Sequence, residues 1–177
     1  MSSTQSQEFK VYIRPMARHR DIPEVLEIEA KSFESPWSED DFNRCLDQRV
    51  CIGKIAEDSN NRIVGFMIYE WDDTRFFLLD FAVKPEYRRR NVGTQMIANL
   101  VAELPKRRRT RILVEVRLGN LIAQTFLRRK IWGARGFKAI RILRDFYDGT
   151  REDAIFMRYS LVKGGESEDM DFILRDR

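Results

Sequence analysis

Apolar residues recur along this chain with two different spacings, and the two alternate. Four segments have apolar residues three or four positions apart, which predicts amphipathic helices: 21–32, 38–46, 92–104 and 121–131. Seven further segments have short apolar runs or alternation, which predicts strands: 11–15, 51–57, 63–71, 75–83, 111–116, 137–145 and 153–162. The order β-α-α-β-β-β-α-β-α-β-β indicates an α/β (α+β) protein, with a mixed sheet and helices on both faces.

Polar residues mark several element boundaries. Asp21, with Glu24 three residues later, predicts the start of the first helix, and Ser38 predicts the start of the second. The polar run 58–61 predicts a turn between the second and third strands.

The length of 177 residues suits one domain with a proper core. We expect that domain over 10–162, after a disordered polar lead over 1–9 and before an acidic tail over 163–177. Residues 1–8 lack the apolar core of a secretory signal, and no apolar run approaches the roughly 20 residues that span a bilayer. We therefore expect a cytoplasmic protein without membrane contact.

Cysteine and histidine are scarce. The two cysteines, Cys45 and Cys51, lack the C-x-x-C spacing of a zinc site, and His19 lies in a charged segment. We expect no metal site and no disulfide framework, with His19 on the surface and both cysteines packed in the interior.

Positive charge is concentrated locally. The formal net charge is +4, and the basic residues cluster at 88–90, 106–111 and 128–130. Such clusters suit RNA, a polyphosphate ligand or solvated helix ends.

One cluster lies between a strand and a helix. The apolar strand ends at Val83, a Pro turn and Arg88, Arg89 and Arg90 follow, and the helix begins at Val92. The first turn of a helix has unpaired N–H groups and a positive dipole end, which suit phosphate oxygens. Gly93 lets a ligand approach the backbone closely. The alternative is an exposed basic turn before an ordinary helix.

The run P-x-x-R-x-x-N-x-G at 85–93 resembles the pyrophosphate-binding signature of the GNAT acetyltransferase superfamily, [QR]-x-x-G-x-[GA]. Asn91 takes the place of the first Gly, which Asn can fill because it tolerates positive φ. The resemblance implies acetyl-CoA as co-substrate, held by residues that frame this turn together with one further Asn: Phe81, Ala82, Val83, Arg88, Arg89, Arg90, Asn91, Val92, Gly93, Thr94 and Asn120.

Three further runs sharpen the resemblance. They are similar to motifs of ribosomal-protein-alanine N-acetyltransferases and related protein N-terminal acetyltransferases: F-E-S-P-W-S within 32–42, L-V-E-V-R-L-G-N at 113–120, and R-D-F-Y with E-D-A-I-F-M within 144–157. The resemblance implies a GNAT-like, mostly antiparallel sheet. It also implies transfer of acetyl to the N-terminal α-amine of a protein, with a ribosomal protein as the default substrate.

Glu115 is the candidate general base. Strand alternation puts it on the face opposite Val114 and Val116, which taken alone favours a surface ion pair with Arg117. The family's base falls on Glu115, and a carboxylate is adequate because an α-amine has a pKa of about 7.7–8.0. The resemblance also implies that a backbone N–H near Val83, at a bulge of its strand, stabilises the oxyanion.

The general acid is harder to assign. The family's tyrosine falls on Leu127 when counted from Asn120 and on Trp132 when counted back from Phe137, and neither side chain titrates. Tyr147 is a possible substitute, or the thiolate leaves through water. Asn120 suits a coenzyme contact, a helix N-cap, or both.

The implied peptide slot consists of Phe33, Pro36, Trp37 and Tyr147, although Phe33 and Trp37 could simply attach their loop to the core. Two other functions stay open at this point. One is a GNAT enzyme that acetylates a lysine or a small amine, and the other is a catalytically weakened module that binds coenzyme or RNA.

Overall fold

Residues 9–129 and 135–161 are described by a computed structural model, in which seven strands form one sheet. The strands are β1 Tyr12–Pro15, β2 Cys51–Glu57, β3 Ile63–Trp71, β4 Arg75–Val83, β5 Arg111–Arg117, β6 Lys138–Tyr147 and β7 Glu152–Ser160. The helices are α1 Arg18–Ala30, α2 Glu39–Leu46, α3 Val92–Lys106 and α4 Leu121–Leu127, with a 3₁₀ turn at Pro85–Tyr87.

The strand order is β1-β2-β3-β4-β5-β7-β6. Neighbouring strands run antiparallel except for β4 and β5, which run parallel. This parallel pair needs a crossover, and α3 supplies it. The predicted element order and the mixed, mostly antiparallel sheet are confirmed.

Helices cover both faces of the sheet. On one face, α3 and α4 bury a core that includes Met96, Leu100 and Leu127. On the other face, α1 and α2 cover β2, β3 and part of β4, with Ile28 and Phe42 at the centre. Alternate residues of each strand point toward opposite faces of the sheet, and helices cover both faces. The sequence of β4 is therefore almost continuously apolar.

The first helix begins earlier than the capping pattern predicted. It starts at Arg18, with Ala17 as N-cap, and Asp21 lies inside its first turn. The Asp21 carboxylate accepts hydrogen bonds from the Ala17 N–H and from the Arg14 guanidinium, both at 2.6 Å. Burial opposes ionisation of Asp21, but these hydrogen bonds outweigh it and lower its pKa to about 2. An ion pair with Arg14 of the preceding strand thus explains an Asp that resembled an N-cap. Ser38, in contrast, caps α2 as predicted and forms a capping box with Asp41.

The fourth helix is shorter than predicted. It ends at Leu127, whose carbonyl accepts a hydrogen bond from the Phe137 N–H at 2.8 Å. Gly136 lies so close to the Arg128 carbonyl that a Cβ there would be 2.3 Å from its oxygen. The backbone at Gly136 and Phe137 therefore lies directly against the last turn of α4 and fixes where that helix ends.

The two cysteines are paired, which corrects the expectation that they only pack. Cys45 near the end of α2 and Cys51 at the start of β2 form a disulfide, with their Cα atoms 6.0 Å apart. The loop between them reverses the chain, so that both residues reach the same buried cluster. His19 is exposed, as expected.

The predicted lead and tail stay predictions. Residues 1–8 and 162–177, including the acidic tail, lie outside the described residues. Phe9, the last residue of the predicted lead, lies with its ring centroid 5.7 Å from that of Tyr87. No helix within 9–129 or 135–161 has the length and apolar character needed to cross a bilayer.

Candidate active site

The parallel strands β4 and β5 separate halfway along. Their pairing runs from Arg75 with Arg111 to Leu78 with Val114 and then ends, although both strands continue. Beyond Leu78, β4 keeps its antiparallel partner β3 on one edge. The edge that faces β5 therefore offers backbone N–H and C=O groups to an extended ligand inserted between the strands.

A bulge accompanies this separation. Ile68 pairs with Asp80 whereas Tyr69 pairs with Leu78, so Leu79 is the additional residue of β4. The resemblance had implied a bulge near Val83, and the structure corrects its position. The bulge turns Leu79, Asp80 and Ala82 toward the α1–α2 face, while Phe81 and Val83 face α3.

The turn between β4 and α3 has an unusual backbone. Arg89 and Asn91 both have positive φ, 63° and 67°, and Asn91 is the N-cap residue of α3. Alternation of left-handed residues before a helix start turns successive N–H groups toward one point, which suits an anion. The predicted cradle thus has a suitable backbone, and Asn91 adopts the left-handed conformation that its position requires.

Gly93 occupies a narrow place beside this turn. A Cβ on Gly93 would lie 3.2 Å from the Phe126 ring and 3.3 Å from the Phe81 ring. These two rings stack, with centroids 6.1 Å apart. Of the predicted coenzyme residues, Ala82, Val92 and Thr94 have buried side chains and could contact a ligand through the backbone.

The three arginines of the turn differ in their contacts. Arg88 donates to the Val83 carbonyl at 2.9 Å and to Ser32 Oγ at 3.0 Å, so it joins the turn to the end of α1. The Arg90 guanidinium lies 5.4 Å from the Tyr87 ring centroid. Arg89 is exposed. Arg88 therefore orders the turn rather than presenting a mobile charge.

The candidate base lies at the opposite side of the opening. Glu115 is half-buried on β5, and its charge contributes to the raised pKa of Tyr147. Arg117 is paired with Glu152 at 2.9 Å and lies 4.0 Å from the Tyr147 ring centroid. Burial first, and then the carboxylates of Glu115 and Glu152, raise the Tyr147 pKa to about 12, against the opposing effect of Arg117. The structure thus brings Glu115 and Tyr147 into one electrostatic cluster.

The predicted peptide loop lies on the α1–α2 face of the sheet. Phe33 and Pro36 are exposed, and Trp37 is half-buried with its ring 5.4 Å from that of Phe42. The Trp37 N–H donates to Glu29 Oε1 at 2.8 Å. Trp37 therefore does attach the loop to the core, while Phe33 and Pro36 remain accessible.

Neither of the two positions that correspond to the family's tyrosine carries a side chain that can act as a general acid. Leu127 is 3% exposed and packs in the α3–α4 core, and Trp132 lies outside the described residues. Asn120 is the N-cap of α4, because its side chain accepts a hydrogen bond from the Ala123 N–H at 3.0 Å. Within the two described ranges, no three His, Cys, Asp or Glu side chains form a group that could hold a metal ion.

Comparison with known proteins identifies the family of this chain. The model of the acetyltransferase (GNAT) family matches residues 22–132. The chain belongs to the GNAT acetyltransferase family. It is similar to [ribosomal protein bS18]-alanine N-acetyltransferase of Escherichia coli strain K12, with 30% identity over 139 residues, 77% of this chain and 89% of that protein. The relative of the same name in Salmonella typhimurium is also 30% identical over 139 residues.

Solved structures agree with this assignment. The crystal structure of the ribosomal-protein-S18-alanine N-acetyltransferase from Escherichia coli has a TM-score of 0.74 and 27% identity, and covers 89% of this chain and 98% of its own. The predicted family, GNAT fold and acetyltransferase class are confirmed.

Sequence reasoning missed four residues that organise the site: Ser32, Glu29, Asp80 and Glu152. It also missed that Arg117 pairs with Glu152. Asp80 gave a usable signal, because a lone acid inside the apolar run F-F-L-L-D-F-A-V must either pair or be protonated. Ser32 and Glu152 gave none, since their partners are 56 and 35 residues away in sequence.

Proposed function

We propose that this chain is an acetyl-CoA-dependent N-acetyltransferase that acts on the N-terminal α-amine of a protein. The observation that carries the proposal is the opening between β4 and β5, with a basic turn and helix start at one side and Glu115 at the other. The relatives named for bS18-alanine acetylation support an N-terminal acceptor. A ribosomal protein is therefore the proposed substrate.

The residues of the turn and of the β4 edge suit a bound coenzyme. A diphosphate would lie against the backbone of Arg89 to Gly93, where a larger side chain at position 93 would meet two aromatic rings. The edge of β4 beyond its pairing with β5, from Leu79 to Val83, suits the amide groups of an extended pantetheine arm. The bound thioester supplies the acetyl group, and Asn120 at the start of α4 is the proposed further contact.

Glu115 is the proposed base. It would take a proton from the α-ammonium, directly or through a water, and a neutral amine can then attack. An N–H on the open edge of β4 would stabilise the negative charge that develops on the carbonyl oxygen. Both groups border the same opening, which is the geometric requirement for the transfer.

Tyr147 is proposed as a wall and hydrogen-bond donor of the acceptor slot, with Phe33, Pro36 and Trp37. A phenol with a pKa of about 12 gives up its proton poorly to a thiolate of pKa near 8.5, so the thiolate would leave as the anion and take its proton from solvent after release. The earlier prediction that Tyr147 acts as the acid is kept as a testable alternative.

A thiol-release assay tests the function. The protein should release coenzyme A from acetyl-CoA with peptides that have a free N-terminus, and mass spectrometry should locate the acetyl group on the α-amine. Acetylation only of blocked, lysine-containing peptides, or of small amines, would overturn the N-terminal assignment. Coenzyme binding without thiol release from any peptide would favour the weakened module instead.

Contact with the ribosome and cytoplasmic location are further parts of the proposal. Arg128 and Arg129 are exposed after α4 and could approach ribosomal RNA. RNA affinity that falls steeply with added salt would support this contact. A ribosomal substrate implies the cytoplasm.

A further inference from the structure

Two carboxyl groups are buried against each other between α1 and β4. Glu29 is 2% exposed and Asp80 is 7% exposed. Within the described part of the chain, neither forms an ion pair with an arginine or lysine. A buried, unpaired carboxylate is costly, so two adjacent ones need a specific explanation.

Hydrogen bonds from the protein leave two of the four oxygen atoms without a donor. Glu29 Oε1 accepts from the Trp37 N–H at 2.8 Å. Glu29 Oε2 and Asp80 Oδ2 are buried and have no donor within the described residues. The two carboxyl groups are within hydrogen-bonding reach of each other. One proton between them would satisfy both remaining oxygens.

The electrostatics agree with one shared proton. Burial, followed by the neighbouring charge of Glu29, raises the pKa of Asp80 well above its usual value. Burial also raises the pKa of Glu29, although the Trp37 N–H and the hydrogen bond with Asp80 oppose this. Like charges that share a buried site cannot both ionise, and the less stabilised group keeps the proton. That group is Asp80.

The location gives the pair a role. Asp80 directly follows the bulge at Leu79, where β4 separates from β5. Glu29 holds the backbone of Trp37, the last residue of the proposed peptide loop. The pair therefore links the acceptor loop to the strand that bears the reacting edge.

We propose that Asp80 is protonated at neutral pH and donates a hydrogen bond to the Glu29 carboxylate, and that this bond holds the loop of residues 33–37 against the β4 bulge for binding of the acceptor peptide. Glu29 and Asp80 are thus positioning residues for peptide specificity. The expected effect on peptide kinetics rests on the proposed function. The shared proton between Glu29 and Asp80 is independent of that function.

Kinetics with matched variants test the positioning role. In Asp80→Asn the amide can donate to Glu29, whereas Asp80→Ala removes the bond. We expect Asp80→Asn to keep the peptide KM within about threefold and Asp80→Ala to raise it roughly tenfold or more. The KM for acetyl-CoA should stay within about threefold in both. Equal peptide KM values in the two variants would overturn the role.

Two controls separate positioning from general destabilisation. Asp21→Asn removes another buried carboxylate from the same helix, and should lower Tm without changing the peptide KM. Glu29→Gln keeps an acceptor for Trp37 and offers an amide to Asp80, so it should retain a peptide KM near that of the parent if Asp80→Ala does not fold. A tenfold rise in Glu29→Gln would contradict the proposal.

Infrared spectroscopy tests the proton independently of activity. The parent protein at pH 7 should show the carbonyl stretch of a protonated carboxylic acid, and Asp80→Asn should lose it. If the parent shows no such band, Asp80 is ionised and the inference fails, whatever the enzyme acetylates. If the band is present and no peptide is acetylated, the proposed function fails and the shared proton stands.

Discussion

The coenzyme side and the acceptor side of the proposed site are built in different ways. Apart from Asn120, the coenzyme side is one contiguous stretch, residues 79–94, in which a strand, a turn and a helix start follow each other. The acceptor side combines segments far apart in sequence: Glu29, Trp37, Asp80, Glu115, Arg117, Tyr147 and Glu152. The difference teaches that coenzyme binding depends on local backbone conformation, whereas peptide binding and proton transfer depend on tertiary packing. Substitutions should therefore separate the two.

The largest effect should come from Glu115→Gln. Loss of the proposed base should lower kcat about a hundredfold, because a positioned general base typically contributes at least that factor. The affinity for acetyl-CoA should stay within twofold, since the coenzyme side is unchanged. Steady-state kinetics and calorimetry measure the two quantities. Glu27→Gln, on the exposed face of α1, is the matched control. Unchanged turnover in Glu115→Gln would remove Glu115 from the mechanism.

Gly93→Val should weaken coenzyme binding and leave kcat nearly unchanged, the opposite of Glu115→Gln. The new side chain would meet the Phe81 and Phe126 rings and crowd the N–H groups at the start of α3. We expect the Kd for coenzyme A to rise roughly tenfold, with kcat at saturating acetyl-CoA within threefold of the parent. Calorimetry checks the first value. A Kd equal to that of the parent would show that the diphosphate lies elsewhere. Ala98→Val, on the exposed face of the same helix, is the control.

Arg88 and Ser32 form one contact that joins the two sides. Arg88→Ala should weaken coenzyme binding about fivefold, because it also loses the bond to the Val83 carbonyl, while Ser32→Ala alone should have about a twofold effect. In a double-mutant cycle on the peptide KM, the two changes should be non-additive, since they remove the same bond. Additive effects would mean that the two sides are independent.

On the acceptor side, Tyr147→Phe should have only a small effect. Loss of one hydroxyl in the acceptor slot should raise the peptide KM about threefold and leave kcat nearly unchanged. The raised pKa means that the phenol stays protonated until pH approaches 12, so its ionisation should not reduce activity between pH 8 and about 10. A loss of activity on the alkaline side near pH 10 that disappears in Tyr147→Phe would contradict this. A hundredfold fall in kcat would restore Tyr147 as the acid.

Stability against acid provides a separate check on the first helix. The pKa of Asp21 is lowered to about 2, so its ion pair with Arg14 stabilises the fold above pH 4 and is lost as the pH falls toward 2. This pH dependence concerns the stability of the fold and involves neither the coenzyme side nor the acceptor side. Asp21→Asn therefore serves as the control described above.

Local rules were sufficient for much of the chain. The periodicity predicted β2, β3 and β4 to the residue, and the Ser38 cap and the turn at 58–61 are as predicted. Local rules failed where a partner from another part of the fold intervened. Asp21 resembled an N-cap, but the Arg14 guanidinium takes its carboxylate, and the end of α4 is fixed by the bond between Leu127 and Phe137.

The sequence by itself determined the element order, the basic turn before α3 and, through its motifs, the acetyltransferase family. These depend on residues that are neighbours along the chain, where spacing fixes which groups can meet. The tertiary structure alone decided where β4 separates from β5, that the bulge lies at Leu79, and that Glu29 and Asp80 are buried together. These features arise because strand pairing and helix packing bring together residues that no local pattern relates.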